Sequence, residues 1–247
     1  MSGPEKSSGP SNDFVTIAQI LRTMSNTLRV LDENKRYLNF LDSEIGDAEH
    51  GTSMVRGFRA VNERLPAGEY DDIGTILQKA GLILMETVGG AAGPLFGSLY
   101  LKGGEVVSGK KLLDKNDLAA LFQAGLEGVK TMSGGTAVGD KTMVDALAPA
   151  VKALKQSAAR PEDTLADALE SAVGAAKGGM IETIRLTAKK GRASYLGARS
   201  VGHQDPGATT TYLILRTMLD TMRGNGCLKI EKYDLTGMIL TEVILPQ

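Results

Sequence analysis

The sequence predicts an all-α protein. Apolar residues recur three and four positions apart through most of the chain, and breaks rich in glycine and proline separate these periodic stretches. Hydrophobic residues make up 42% of the chain, but aromatic residues only 4%, and tryptophan is absent. A core of leucine, alanine, glycine and methionine favours close helix–helix contacts over a β-sandwich, which uses more aromatic and β-branched side chains. The pattern predicts about eight helices and almost no strand.

The first four helices are predicted from apolar spacing and from residues that cap helix N-termini. Asn12 or Asp13 is expected to cap the first helix, and Asp71 or Asp72 the third. A glycine-rich break precedes the fourth. Their expected extents are Ile17 to Leu41 with a kink near residues 32–34, Gly51 to Leu65, Ile73 to Leu84, and Leu95 to Leu101.

The last four helices are predicted in the same way. Asp114 is expected to cap the fifth, and Pro161 to open the seventh, which is rich in alanine. Their expected extents are Asp114 to Val129, Met143 to Val151, Glu162 toward Ala188, and Ala208 to Met222.

The C-terminal stretch departs from the helical pattern. Residues 227–233 partly alternate in polarity, and residues 238–245 are rich in β-branched side chains. A turn at residues 233–237 would join them as a β-hairpin, packed on the helices or on a partner chain. A tail without regular structure is the alternative.

Charge and cysteine content exclude several classes of protein. Lys and Arg number 28 against 29 Asp and Glu, a formal net charge of −1, so nucleic-acid binding is not expected. Cys227 is the only cysteine, which excludes an intramolecular disulfide and a cysteine-based zinc site. The N-terminus lacks the apolar core of a signal peptide, and no apolar run is as long as a membrane span. A cytoplasmic protein without membrane contact is expected.

An acidic segment after the first helix is the most informative part of the chain. Asp42, Asp47 and Glu49 lie within eight residues, and Gly46 offers a place to break the helix so that all three carboxylates can converge in a loop. Hard oxygen ligands of this kind suit Mg²⁺, which usually shares its coordination with substrate phosphates. The alternative is a solvated acidic helix end.

Glycine-containing loops precede several predicted helices. Residues 42–53, 89–94, 133–143 and 191–207 combine glycines with hydroxyl, acidic or basic side chains. Backbone N–H groups at helix N-termini bind anions, although each loop alone can be an ordinary connection. The spacing of the glycines and the lysine in residues 134–142 does not match the phosphate-binding loop of nucleoside triphosphatases. His203 can be a general base or a residue that caps a backbone group.

Taken together, these loops resemble those of the L subunit of dihydroxyacetone kinases. The stretch Leu41–Gly51 resembles the family signature L-D-x-x-I-G-D-x-D-H-G, and Gly89–Gly97 resembles its G-G-A-S-G-P-L-F-G loop. Residues 139–143 and 191–208 complete the set, so the resemblance extends over about residues 13–222.

This resemblance implies an antiparallel eight-helix barrel that holds a nucleotide, ADP or ATP, in loops at one end. It assigns two Mg²⁺ ions to Asp42, Asp47 and Glu49, and no catalytic residue beyond these ligands. The nucleotide-binding domain would be residues 12–222. Residues 1–11 are expected to be a disordered tail because they are rich in Ser, Gly and Pro, and residues 223–247 an extension without a counterpart in the family. The implied nucleotide ligands are His50, Gly51, Thr52, Ser53, Ala91, Ala92, Gly134, Met143, Arg192, Asp205, Pro206 and Gly207.

Three positions depart from the family pattern. Glu49 replaces the usual aspartate and is one methylene longer, which puts metal distances in doubt. Ser53 stands where the family usually has asparagine, and Ala92 where it has serine, which removes one hydroxyl.

The function expected from the resemblance is phosphoryl transfer from a magnesium nucleotide to a ketose. A separate ketose-binding K subunit is expected, so this chain alone should not phosphorylate a sugar, and it can form an oligomer. ADP is expected to remain bound as a coenzyme that a phosphotransferase-system protein rephosphorylates.

Three alternatives remain open. ATP can be an exchanging substrate, with a triose or a tetrose such as erythrulose as acceptor. The chain can also be a non-catalytic regulatory protein that keeps the nucleotide fold. A domain like that of fatty-acid kinases is disfavoured, because the chain ends without the further domains of that family.

Overall fold

In the part of the chain that the structure describes, nine α-helices form the body of the protein. This computed structural model describes residues 13–65 and 70–224, and it places two further strands between residues 227 and 246. The helices are α1 (Ile17–Glu33), α2 (Lys35–Ile45), α3 (His50–Arg64), α4 (Ile73–Thr87), α5 (Ala92–Val106), α6 (Lys115–Met132), α7 (Met143–Ala158), α8 (Leu165–Glu182) and α9 (Pro206–Arg223); the strands are β1 (Val15–Thr16), β2 (Leu112–Leu113), β3 (Cys227–Tyr233) and β4 (Ile239–Pro246).

Eight of these helices form a closed ring. Helix α1 packs against α3, each helix from α3 to α9 packs against the next, and α9 returns to α1. The short α2 lies beside α3 and α9, outside this sequence of neighbours. One hydrophobic core runs through the ring, with Leu31, Phe58, Leu84 and Leu147 among its fully buried side chains. The eight-helix barrel expected from the resemblance is confirmed.

The first helix begins at Ile17, where its apolar spacing predicts, but its cap differs from the prediction. Thr16 is its N-cap: its hydroxyl accepts the Gln19 N–H at 3.2 Å, and the Gln19 side chain accepts the Thr16 N–H at 2.9 Å. The prediction of Asp13 as the cap is wrong, because Val15 and Thr16 pair as β1 with β2 and are therefore extended. The alternative cap, Asn12, lies outside the described residues.

The predicted interruption of the first helix is confirmed at Asn34. This residue is fully buried, and its amide donates to the carbonyl of Val30 at 2.9 Å. The side chain thereby binds the last turn of α1, and the chain restarts as α2 at Lys35. What the spacing predicts as one kinked helix is two helices.

The alanine-rich helix is shorter than predicted. Thr164 and Asp167 form a capping box, so α8 begins at Leu165 and Pro161 lies before it. The helix ends at Glu182, because the Thr183 hydroxyl donates to the carbonyl of Met180 and a short 3₁₀ turn follows. The predicted continuation toward Ala188 is therefore wrong.

Two other helices are longer at their N-termini than predicted. Helix α5 begins at Ala92 inside the expected break, since Pro94 is tolerated in a first helical turn. Helix α9 begins at Pro206, two residues before the expected start, because the Asp205 side chain caps it. The predicted caps Asp72 and Asp114 are confirmed.

Glycines bring α4 and α5 into direct backbone contact. A Cβ atom on Gly97 would lie 2.7 Å from the carbonyl oxygen of Gly81, and one on Gly81 would lie 2.6 Å from that of Gly97. Atoms this close overlap, so neither position accepts a side chain without separating the helices. The low aromatic content of the chain is consistent with this close packing.

The C-terminal strands form the predicted hairpin. Strand β3 pairs antiparallel with β4, with Cys227 opposite Pro246, and β3 contacts α1 and α9. The predicted turn and the tail at residues 1–11 fall outside the described residues, so both stay predictions. Among the helices described, none is both long and apolar enough to cross a membrane.

The α4–α5 contact generates a prediction about stability. Replacing Gly97 by Ala should lower the free energy of unfolding by about 1–3 kcal/mol, because the added methyl group overlaps the Gly81 backbone. Urea denaturation followed by circular dichroism measures the change.

Gly174 in α8 provides the matched control. It is exposed, and a Cβ atom there meets nothing within 4 Å. Gly174→Ala should therefore stabilise the protein by about 0.5–1 kcal/mol through helix propensity alone. Equal effects of the two substitutions would contradict the proposed backbone contact.

Candidate functional site

A cavity of about 600 Å³ opens at one end of the helix ring. Its wall is assembled from segments far apart in sequence, between Asp42 and Gly207. These are the end of α2, the starts of α3, α5, α7 and α9, the end of α6, and residues 190–193. Four of these six helix ends are N-termini, whose free N–H groups favour anions.

The acidic segment forms one side of the cavity, as predicted. Helix α2 ends at Ile45, so Asp42 lies in its last turn while Asp47 and Glu49 lie in the loop that leads to α3. Gly46 permits this turn, since a Cβ atom there would lie 2.2 Å from a carboxylate oxygen of Asp42. Ala48 has a left-handed backbone with φ of 63°, which is uncommon for alanine. A strained, tightly turned loop therefore carries the acidic side chains.

Asp42 organises this loop. Its Oδ2 accepts the backbone N–H groups of Glu49 at 2.9 Å and His50 at 3.2 Å, so the carboxylate holds the start of α3. Burial raises the pKa of Asp42, and a side-chain hydrogen bond with Asp47 raises it further, while the two backbone donors lower it. Two carboxyl groups this close retain a proton or require a cation between them.

Asp47 has a cationic partner from a segment far away in sequence. Arg192, in the 3₁₀ segment Arg192–Ser200, forms an ion pair with Asp47. Glu49 lines the same cavity. Within residues 13–65 and 70–224, however, no three His, Cys, Asp or Glu side chains are grouped closely enough to hold a metal ion. The structure thus brings Asp42 and Asp47 together, and Glu49 would have to turn toward them.

His50 is a half-buried neutral residue at the start of α3. Its Nε2 lies 2.9 Å from the hydroxyl of Thr210 on α9, and its ring lies 6.5 Å from that of Phe96. Burial lowers the pKa of His50 to about 4. Near neutral pH the imidazole is uncharged, so it offers the cavity a hydrogen-bonding group and no positive charge.

Asp205 caps α9 from a buried position in the cavity wall. Its Oδ2 accepts the N–H of Ala208 at 2.7 Å. Burial raises the pKa of Asp205 to about 7, although the Ala208 N–H and the nearby Lys141 lower it. Pro206 and Gly207 follow directly and also line the cavity.

Most of the predicted ligands meet in this cavity. They come from the acidic loop, both alanines of the glycine-rich loop and the starts of α7 and α9. Those that line it are Asp42, Asp47, Glu49, His50, Ser53, Ala91, Ala92, Met143, Arg192, Asp205, Pro206 and Gly207.

Three predicted ligands lie outside the cavity wall. Gly51 is packed against α2, where a Cβ atom would lie 2.4 Å from the carbonyl oxygen of Lys35. Thr52 faces Asn39, which accepts its N–H at 3.0 Å and donates to its hydroxyl at 2.9 Å. Gly134 makes a left-handed turn whose carbonyl accepts a hydrogen bond from Lys190 at 3.2 Å.

Sequence reasoning missed several residues of the wall. Lys141 lies inside a recognised motif, but only the structure shows it buried at the cavity. The apolar side of the cavity has the same spacing as ordinary helix core residues, so no signal separates the two. Its members are Leu95, Phe96, Val129, Met132 and Val144.

Comparison with protein families matches residues 44–220 to the DAK2 domain. The chain is 41% identical over 200 residues to the protein named "PEP-dependent dihydroxyacetone kinase, ADP-binding subunit DhaL" of Escherichia coli K12, and the match covers 81% of this chain and 94% of that protein. It is 36% identical over 209 residues to "PTS-dependent dihydroxyacetone kinase, ADP-binding subunit DhaL" of Lactococcus lactis, covering 85% of this chain and all of that protein.

A solved structure supports the fold. The dihydroxyacetone kinase of C. freundii in complex with AMP-PNP and Mg²⁺ superposes with a TM-score of 0.62 at 23% identity, over 90% of this chain and 37% of that chain. The family match covers most of the chain, and the two bacterial relatives match it over nearly their whole length. The chain therefore belongs to the DAK2-domain family of dihydroxyacetone kinase L subunits.

Proposed function

We propose that this chain binds a magnesium nucleotide in the cavity and transfers its phosphoryl group to a ketose held by a separate K subunit. ADP is the resident nucleotide, and a phosphotransferase-system protein rephosphorylates it. The E. coli and L. lactis relatives are both named as ADP-binding subunits, one PEP-dependent and one PTS-dependent, which supports this form of the reaction.

The convergence of separate loops on one cavity carries the proposal. The lining combines apolar side chains, among them Leu95, Phe96 and Met132, with the charged side chains of Asp42 and Arg192. A nucleotide has the same combination, since its base is flat and largely apolar while its phosphates are charged. The volume of about 600 Å³ is in the range of small-molecule sites.

The carboxylates fit a hard divalent cation. Asp42 and Asp47 share a hydrogen bond and compete for positive charge, so both are suited to hold Mg²⁺, with Glu49 as the third ligand. Two ions are proposed, because phosphoryl transfer places charge on both bridging and terminal oxygens. Bound Mg²⁺ would supply neutralisation of charge on the phosphates.

The remaining polar groups of the cavity are proposed to orient the phosphates of the nucleotide. Ser53, in the first turns of α3, lines the cavity, and its hydroxyl can donate to a phosphate oxygen. Arg192 has a long, exposed side chain in the 3₁₀ segment. Its guanidinium can leave Asp47 and bind a phosphate oxygen instead. The ketose is not bound by this chain in the proposal, so these groups serve phosphate positioning alone.

The first test identifies what the purified protein carries. We expect about one equivalent of ADP, with magnesium, to be released on denaturation after dialysis, because a coenzyme that turns over in place has to stay bound. Chromatography and elemental analysis measure both. An empty protein that binds ATP reversibly would instead support ATP as an exchanging substrate, and failure to bind any nucleotide would contradict the proposal.

The second test removes one proposed metal ligand. Asp42→Asn should weaken Mg-ADP binding by more than roughly 100-fold, a loss larger than that expected for a supporting partner of a ligand. An asparagine oxygen can still accept the Glu49 and His50 N–H groups, so the loop geometry is kept. Isothermal titration with Mg-ADP measures the change.

Stability provides the internal control for this variant. Burial and Asp47 raise the pKa of Asp42, so its negative charge is unfavourable in the empty protein. The urea midpoint of Asp42→Asn without nucleotide should therefore equal or exceed that of the parent. Asp71→Asn, at an exposed position, should change neither property. Unaltered Mg-ADP affinity in Asp42→Asn would refute the metal assignment.

A further inference from the structure

Lys141 is the most deeply buried lysine described, and no step of the proposed reaction uses it. Its side chain is 1% exposed although it lies at the cavity wall. Its φ of 62° is left-handed, which a lysine adopts only where the surroundings compensate the cost. A buried ammonium group also requires hydrogen-bond acceptors.

The acceptors of Lys141 come from two other segments. Its Nζ donates to the carbonyl of Thr183, in the 3₁₀ turn after α8, at 2.5 Å. It also donates to the carbonyl of His203, two residues before Asp205. One side chain therefore ties the start of α7 to the end of α8 and to the segment that leads into α9.

Both attachments bear on Asp205. The hydroxyl of Thr183 accepts the Asp205 N–H at 3.0 Å, so Lys141 and Asp205 are anchored on the same residue. The Asp205 carboxylate in turn caps α9 through Ala208. Burial lowers the pKa of Lys141, and the nearby carboxylates of Asp205 and Asp145 oppose this shift. Any shift of this lysine would be passed to Asp205 and Gly207 at the cavity.

The start of α7 is held in a complementary way. Asp145 accepts the N–H of Gly139 at 2.6 Å and that of Thr142 at 2.7 Å. These bonds fix the turn on both sides of Lys141, so its left-handed backbone aims the side chain across the cavity wall. The chain thereby fixes where the ammonium group lies, independently of any ligand.

We propose that Lys141 is a positioning residue that holds the Asp205–Gly207 wall of the nucleotide cavity by binding the Thr183 and His203 carbonyls. The expected effect on nucleotide affinity rests on the proposed function. The structural effect of Lys141 can be measured without nucleotide.

The test compares Lys141→Met with Lys141→Arg. Methionine keeps the length of the side chain but removes the charge and all donors, so Mg-ADP affinity should fall about 10- to 100-fold. Arginine keeps the charge and the donors on a larger, planar group, so Lys141→Arg should bind Mg-ADP more tightly than Lys141→Met. Lys152→Met, at an exposed position of α7, is the matched control and should bind as the parent does.

A second readout separates positioning from general stability. In Lys141→Met without nucleotide, amide hydrogen exchange at residues 200–207 should accelerate, while exchange in α4 and α5 should not change. If Lys141→Met does not fold, the double variant Lys141→Met/Asp205→Asn is compared with the single variant Asp205→Asn. The double variant removes both charged groups and so leaves no unpaired buried charge.

The outcomes are distinct. Parent-like affinity and exchange after loss of the lysine, in either background, would overturn the inference. Failure of both methionine variants to fold would also overturn it, since Lys141 would then be required by the fold and not by the site. Absence of Mg-ADP binding by the parent would refute the proposed function instead, while the exchange measurement would still test Lys141.

Discussion

Closure of the ring between its first and last helices is the constraint on which the rest of the structure depends. Asn26 of α1 donates to the hydroxyl of Thr221 of α9 at 3.0 Å, and both side chains are buried. Buried polar groups are costly unless they are paired, so this hydrogen bond favours one alignment of the two helices. When α1 and α9 are aligned in this way, the loops at one end of the ring converge on the cavity. Without this alignment, α9 would not bring Asp205 near the acidic loop.

The sequence predicts the helices well where local physics decides the boundary. Asp72 and Asp114 accept N–H groups three residues ahead, a pattern visible in the chain itself. Boundaries set by distant partners are not visible in this way. The start of α1 depends on pairing with Leu112 and Leu113, and the end of α8 is set by the Thr183 hydroxyl and the turn that follows it.

The candidate site also contains residues that the local sequence predicts and residues whose position depends on distant contacts. The acidic loop is predicted because Gly46 and three carboxylates lie close in sequence, and most of the ligands implied by the family resemblance line one cavity. Gly51 and Thr52 belong to the same motif, yet they face α2, since helix periodicity turns them away from the cavity. Lys141 shows the opposite case: its charge predicts an exposed residue, and only the Thr183 and His203 carbonyls explain its burial.

The assembly of the cavity from both halves of the chain has a consequence for turnover. A molecule that fills it contacts residues from Asp42 to Gly207 at once, so partial opening of either half of the ring empties the cavity. Such a molecule stabilises the folded chain by mass action. Proteases that cleave transiently opened chains would then degrade the empty form faster than the filled one, and ligand supply would set the lifetime of the protein.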